Sequence, residues 1–367
     1  MSKIRVLIVD DSVVVRRLVA DTLAGDPALE IAGTAAHGRI GLAKIPEVNP
    51  DVVLLDVEMP EMDGLETLKA LRKTYPRLPV IMFSTLTYRG ASATLDALAL
   101  GANDYVTKPA NVGSIGAAQQ RIRDELIPKI KAHCSRSFMS ELAPQQQARF
   151  PLVPTSLPPA DTAPAAQIEL LAIGVSTGGP NALATLLPCL PADFPVPVVI
   201  VQHMPPMFTR MLAERLDSLS NLKVLEGEDG RKLCPGEVYL APGDYHMVVQ
   251  REGTVVRLRL NQEPPENSCR PAVDVLFRSA AETYRAGVLA VVLTGMGQDG
   301  LRGCEMIRKV GGQILVQDEA TSVVWGMPGC VARSGLAQQV LPLDEIGPAI
   351  IRRVQQRHLS LRRTTTG

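Results

Sequence analysis

The pattern that most constrains this chain is a series of short, nearly unbroken apolar runs, alternating with segments of helical spacing. Ile4–Val9 is one such run, rich in β-branched residues. A run without polar alternation reads as a strand buried on both faces. Val14, Val15, Leu18, Val19, Thr22 and Leu23 then recur at helical intervals. Val52–Leu55, Val80–Phe83 and Asp104–Thr107 repeat the strand signal, with helical segments between them. Strands that all run one way need crossover connections, and helices supply them. The first third of the chain is therefore expected to be α/β, a doubly wound parallel sheet.

A last helix is expected from Val112 to Ala132, with Ile115, Ala118, Ile122 and Leu126 on one face and Pro128 ending or bending it. The composition then changes. Cys134–Gln167 carries Pro144, Pro151, Pro154, Pro158, Pro159 and Pro164 among small and polar residues, and no apolar period survives, so it reads as a linker. Strand runs resume at Leu170–Val175, Val196–Val201, Glu237–Leu240, Val255–Leu260, Val288–Leu293 and Gln313–Val316. Helical segments, notably Met207–Leu219, Ala272–Tyr284 and Leu301–Lys309, lie between several of them. The second half is thus also α/β and Rossmann-like, with an antiparallel portion expected near Val238–Leu260. The expected layout is a domain over 1–127, a linker over 128–167, a second domain over 168–358 and a tail over 359–367.

A chain of 367 residues, 46% apolar and 21% charged, can fill two cores. Lys plus Arg and Asp plus Glu both number 38, so the net charge is zero. No basic domain advertises nucleic acid or an anionic membrane, and 4% aromatic content gives few stacking platforms for single strands. The start, MSKIRVLIVDD, returns to charge before a signal peptide could form, and no later run reaches the length of a membrane span; the reading is cytoplasmic, with no membrane insertion. Cys134, Cys189, Cys234, Cys269, Cys304 and Cys330 form no C-x-x-C pair and read as free, mostly buried thiols.

Chemistry-bearing residues sit at the ends of the strand runs. Asp10 and Asp11 follow the first strand, Asp56 follows Val53–Leu55, Ser84 follows Val80–Phe83 and Lys108 follows Tyr105–Thr107. In a parallel sheet these ends share one edge, where ligands bind. Converging carboxylates suit Mg²⁺, which takes oxygen ligands. One carboxylate can attack a phosphoryl group, while a cation and a lysine neutralise the charge that develops. An Asp-Asp pair alone serves equally well as a helix N-cap; the joint placement favours the site. These segments (VLIVDDS, LLDVEMPEMDG, IMFST and DYVTKP) resemble the response-regulator receiver family over about Lys3 to Leu126. The resemblance implies Asp56 as phospho-acceptor, Mg²⁺ held by Asp10, Asp11, Asp56 and the main-chain carbonyl of Glu58, Ser84 and Lys108 in support, Tyr105 as the aromatic switch residue, and a histidine kinase as phosphodonor.

The second half opens with a strand running into Gly174-Val-Ser176-Thr-Gly178-Gly179, after which Ala182, Leu183 and Leu186 begin a helix. G-x-S-x-G at a strand–helix junction thrusts a serine hydroxyl out of the turn and aims main-chain N–H groups at the reacting centre. Taken alone, the same glycines also fit a phosphate-binding loop or a plain turn. His203 after Val198–Gln202 and Asp299 after Val291–Thr294 add a general base and an orienting carboxylate at the same edge. The order Ser, His, Asp differs from that of ordinary α/β-hydrolases, where the acid precedes the histidine.

The local segments GVSTGGP, VVIVQHMPPMFT, VYLAPGDYHM, RPAVDVLF, LTGMGQDG and TSVVWGMP resemble the catalytic domain of chemotaxis protein-glutamate methylesterases, over about Ile168 to Ile351. With an amino-terminal receiver, the resemblance spans nearly the whole chain. It implies Ser176 as nucleophile, His203 and Asp299 completing the triad, an oxyanion site at the N–H groups of Thr177 and Met296, and no cofactor in that domain. It also implies a methylated chemoreceptor as substrate, deamidation of receptor glutamines, and a receiver that covers the active-site face until phosphorylated. A DNA-binding regulator would instead carry a short basic helix-turn-helix after the linker. A nucleotide-binding domain would show the full G-x-G-x-x-G, and a scaffold with an idle triad would release no methanol.

Overall fold

The structure, a computed structural model, describes residues 3–109, 114–141 and 166–355. The chain divides into two compact units, Met1–Pro164 and Ala165–Gly367.

The first unit alternates β1 (Ile4–Val9), α1 (Val13–Leu23), β2 (Leu29–Ala35), α2 (Gly38–Val48), β3 (Val52–Asp56), α3 (Gly64–Thr74), β4 (Val80–Ser84), α4 (Tyr88–Ala99), β5 (Asp104–Thr107) and α5 (Ile115–Arg121). The five strands lie in the order β2-β1-β3-β4-β5, all parallel. The unbroken apolar runs became β1, β3 and β4, with Val6, Ile8, Leu54, Ile81 and Phe83 in one core. Strand β2 is absent from the sequence reading because it is an edge strand. Its burial is mostly partial, so it carries no unbroken apolar run.

The last helix does not stop at Pro128. After α5 the chain makes a π-helical turn over Ile122–Leu126, where the Ile127 N–H reaches back to the Ile122 carbonyl. It then continues as α6 (Ile127–Glu141). Proline lacks an N–H and its ring crowds the carbonyl four residues earlier; the wider turn relieves that conflict inside a continuous helix. Ile127, Ile130 and Cys134 pack into the same core as β1 and β4. The expected helix start at Val112, the stretch 142–165 and the tail 359–367 lie outside the described residues.

The second unit contains β6 (Leu170–Val175), α7 (Gly179–Leu186), β7 (Val198–Gln202), α8 (Phe208–Leu219), β8 (Lys223–Glu226), β9 (Glu237–Leu240), β10 (His246–Glu252), β11 (Val255–Asn261), α9 (Val273–Tyr284), β12 (Val288–Val292), α10 (Leu301–Lys309), β13 (Gln313–Gln317), α11 (Met327–Arg333), β14 (Gln339–Leu341) and α12 (Leu343–Gln355). A seven-stranded sheet has the order β14-β13-β12-β6-β7-β9-β8, with every pair parallel. The antiparallel portion is confined to the separate hairpin β10–β11. Strand β9, expected to belong to it, is instead an inner strand of the large sheet. Val238, Tyr239 and Leu240 are all buried, as a strand covered on both faces requires, whereas β10 fades to an exposed end.

In both units the chain reverses direction across the sheet at one place. From β1 it moves outward to β2 and then returns to β3 on the other side. From β6 it proceeds through β7 to the β8–β9 side, then returns to β12. Loops that diverge at such a point leave a crevice at the carboxyl ends of the strands. The crevices here fall between β1 and β3, and between β6 and β12.

Candidate active site

In the first unit, oxygens of Asp10, Asp11 and Asp56 lie within 4.8 Å of one another at the crevice. Asp10 and Asp56 are buried and Asp11 is exposed. Lys108 Nζ stands 2.8 Å from both Asp10 Oδ2 and Asp56 Oδ2. Burial pushes the Asp56 carboxyl up to about 6, with the Asp10 charge adding to the effect and Lys108 opposing it. Burial would lower Lys108, but its bonds to Asp10 and Asp56 prevail and hold it up. Beyond Lys108, the buried Oδ2 atoms of Asp10 and Asp56 find no partner. An excess of hard oxygens around one basic group, open to solvent on the Asp11 side, fits a Mg²⁺ ion. Glu58 lines the adjoining cleft with Asp11, Met59 and Arg89, and its carboxylate pairs with Arg89 at 3.5 Å. Ser84, at the end of β4, is buried and donates to the Gly90 carbonyl at 3.0 Å. Tyr105 is buried in β5, with Lys129 Nζ 5.1 Å from its ring centroid.

In the second unit, β12, β6 and β7 are adjacent, so the residues that follow them meet. Ser176 follows β6, His203 follows β7, and the Thr294–Asp299 loop follows β12. Main-chain bonds lock the three ends: Ser176 N–H donates to Thr294 O at 3.0 Å, and His203 N–H to Val175 O at 3.2 Å. Gly178 takes φ 79°, which opens α7, while Ser176 stays out of the left-handed region. The serine turn is therefore unlike a strained nucleophile elbow. Gly295 has no Cβ for a different reason, since one would stand 2.9 Å from Ser176 Cβ. Its absence lets the loop after β12 close on the serine. The N–H groups of Thr177 and Met296 find no acceptor among the described residues, which leaves both free to bind an oxyanion.

His203 Nε2 bonds Asp299 Oδ2 at 2.8 Å. Asp299 thus occupies Nε2 and leaves Nδ1 as the other ring nitrogen. Ser176 and His203 share no direct hydrogen bond; such bonds commonly tighten only with substrate in place. Burial alone would push His203 down, but the bond to Asp299, with the neighbouring Cys269, raises it. Burial would raise Asp299, yet the His203 bond and the surrounding N–H donors hold it low.

The comparisons with known proteins divide at the same place as the fold. The receiver family, described as response regulator receiver domain, matches residues 6–120, and CheB methylesterase matches 171–350. A protein-glutamate methylesterase/protein-glutamine glutaminase from Trichodesmium erythraeum is 57% identical over 96% of this chain and 100% of its own length. The chain belongs to the CheB methylesterase family. A second relative of the same name, from a Nocardioides species, is 54% identical over 98% of both chains. The crystal structure of the Thermotoga maritima CheB methylesterase catalytic domain matches with a TM-score of 0.50 and 45% identity, covering 51% of this chain and 99% of that one.

This CheB family member also carries site residues that the sequence reading missed. Gln202 Nε2 donates to the carbonyls of both Ser176 and His203, at 2.9 and 3.3 Å, bracing the two residues against each other. Asp299 receives the N–H groups of Val273 (2.7 Å), Asp274 (2.9 Å) and Gly300 (2.9 Å), and the amide of Asn267 (2.9 Å). Val273 and Asp274 open α9, so the free donors of a helix start hold the Asp299 carboxylate. The RPAVDVLF segment was the only sequence trace of this, and it marked the family without naming a role. All six cysteines are free, but only Cys134 and Cys304 are buried, fewer than expected.

Proposed function

We propose that this chain hydrolyses the γ-methyl esters of glutamates on chemoreceptors, and deamidates receptor glutamines, under control of phosphorylation at Asp56. The reading rests on one observation above the others: Asp299 grips His203 at 2.8 Å on the same sheet edge, and across neighbouring strands, as Ser176. In this mechanism His203 Nδ1 takes the Ser176 proton as the hydroxyl oxygen attacks the γ-carbonyl. Asp299 keeps Nε2 protonated and stabilises the imidazolium. The Thr177 and Met296 N–H groups receive the oxyanion. His203 returns the proton to the departing methoxide, or to the amine of a glutamine side chain, so methanol or ammonia leaves. Water activated by the same imidazole then releases the glutamate and restores Ser176.

Asp56 carries the phosphoryl group passed from a histidine kinase. Asp10, Asp11, Asp56 and the Glu58 carbonyl would hold Mg²⁺, which neutralises charge on the phosphoryl oxygens when bound. Lys108 supplies a second positive centre, and Ser84 can turn its hydroxyl from Gly90 toward the new phosphate. Tyr105 reports the change as the aromatic switch. Its substrates, the cytoplasmic ends of methylated receptors, place the enzyme in the cytoplasm; among the described residues no helix is long and apolar enough to cross a membrane.

The test is methanol release from methyl-labelled chemoreceptor, with and without acetyl phosphate and Mg²⁺. Ser176→Ala should release none while keeping the parent's melting temperature. Turnover close to the parent's would remove Ser176 from the mechanism.

A further inference from the structure

Two buried carboxylates stand side by side behind the triad. Asp299 is 2% exposed and Asp274 is 1% exposed. Between them lies the amide of Asn267, with Nδ2 2.9 Å from Asp299 Oδ1 and 3.0 Å from Asp274 Oδ2. We infer that Asn267 is a positioning residue of the triad: its two amide hydrogens hold Asp274 and Asp299 together as carboxylates and leave Asp299 Oδ2 for His203. The inference rests on the triad reading above.

The local chain is built to deliver this amide. Glu266 and Cys269 exchange main-chain hydrogen bonds at 3.1 and 2.9 Å, closing a two-residue turn. Both central residues are left-handed, Asn267 at φ 52° and Ser268 at φ 62°, the geometry of a type I′ turn. Asparagine tolerates that conformation better than most residues and alone among them brings two hydrogens on a short arm. The turn is pinned to α9 by a two-pronged ion pair, Glu266 with Arg278, at 2.6 and 2.6 Å. Helix α9 also presents Asp274 and the two N–H groups that grip Asp299. One helix thus fixes the turn, the second carboxylate and the acid of the triad. The remaining Asp274 oxygen takes the Gly303 N–H at 2.7 Å.

Like charges this close, away from water, favour a shared proton unless donors compensate. Burial, with the charges of Asp299 and Glu266, raises the Asp274 carboxyl, while the Gly303 and Asn267 bonds oppose the rise. The other ionisable groups facing the cluster are His203 and Cys269 on the triad side, Arg278 and Arg302 beside Glu266, and Cys304 beneath Asp274. Neither arginine bonds to Asp274 or Asp299, so the neutral amide is the donor they have in common. Taking it away leaves Asp299 a stronger acceptor for the Nε2 proton of His203, so the imidazolium is held more firmly and the free base appears only at higher pH.

The experiment compares full-length variants with the parent, all with acetyl phosphate and Mg²⁺, by methanol release from methyl-labelled chemoreceptor across pH 6 to 11, each corrected for enzyme-free release, because His203 is pushed up to about 10. Taking ratios at each pH cancels the receiver's contribution. Asn267→Gly keeps a residue able to sit at positive φ but removes the amide. Its kcat should fall about tenfold at neutral pH, with the acid limb moved to higher pH by about one unit and KM little changed. Asn267→Gly combined with Asp274→Asn removes one of the two charges, so the acid limb should return toward the parent's. A loss uniform in pH, or a double variant no better than the single, would overturn the inference and leave Asn267 a turn former. Should Asn267→Gly fail to fold, Asp274→Asn alone decides: an acid limb moved to lower pH supports the charge coupling, and an unmoved one refutes it. Asp299→Asn separates the two readings. If it leaves turnover at the parental level, the triad assignment itself fails. If it abolishes turnover while Asn267→Gly leaves the acid limb in place, only the positioning role fails.

Discussion

Gly295→Ala tests how tightly the loop after β12 must close on Ser176. A Cβ at this position would lie 2.9 Å from Ser176 Cβ, 3.2 Å from Ser176 N and 2.4 Å from Met327 Sδ. Carbon atoms settle at about 3.5–4.0 Å, so Ser176 and the loop must separate by roughly 0.6–1 Å. Neither side moves freely. Gly295 donates to Val324 O at 3.0 Å and accepts from Gly326 and Met327 at 3.1 and 2.8 Å, while Met327 is fully buried. Gly295 is not in the left-handed region, so alanine meets no backbone strain and the effect is steric. The displacement therefore falls on the distance between Ser176 and the Met296 N–H. A misplacement of about 1 Å costs about 10² in rate, equivalent to about 2.7 kcal/mol. We expect kcat for methanol release to fall about a hundredfold with KM nearly unchanged, alongside an overpacking cost of about 1–3 kcal/mol in a denaturant melt. Turnover within about threefold of the parent, in a protein whose melt shows that cost, would mean that the closure does not set the reacting geometry.

Further outcomes follow from the same geometry. His203→Ala and Asp299→Ala should each lose most of the rate and the double variant little more, because the pair acts as one unit; additive losses would separate their roles. Since Asp299 holds His203 above its ordinary range against the effect of burial, the base form is gained as pH rises, and kcat/KM should climb through neutrality; a profile flat from pH 6 to 9 contradicts this. Asp56→Asn should block labelling by acetyl phosphate, and label appearing on another aspartate would displace the assignment. A fragment beginning at Gln167 should outpace the unphosphorylated full chain and ignore phosphodonor. A fragment no faster than the resting chain would make the receiver an activator instead of a brake.

The candidate site residues were legible because they end strands. Asp10, Ser176, His203 and Lys108 each follow, and Asp56 closes, a strand whose buried character is written in consecutive side chains. The edge strands β2, β8 and β14 were not legible, since a partly exposed strand carries no unbroken apolar run; β5, also at an edge, is buried throughout and was legible. Pro128 misled for a related reason: a local rule about proline gave way to a wider helical turn paid for by packing of Ile127 and Ile130 against the core.

The sequence by itself determined the α/β class, the division into two units and the gathering of Ser176, His203 and Asp299 at one sheet edge, because each depends on short-range pattern and on the polarity common to parallel strands. Only the tertiary structure decided which ring nitrogen of His203 meets Asp299, that Gln202 braces Ser176 against His203, and that α9 and Asn267 hold Asp299 from behind. Those are contacts between segments as far apart as Gln202 and Ser176, or Asn267 and Asp299. Their distances depend on strand order and on the helix laid against the sheet, and no local spacing encodes that arrangement.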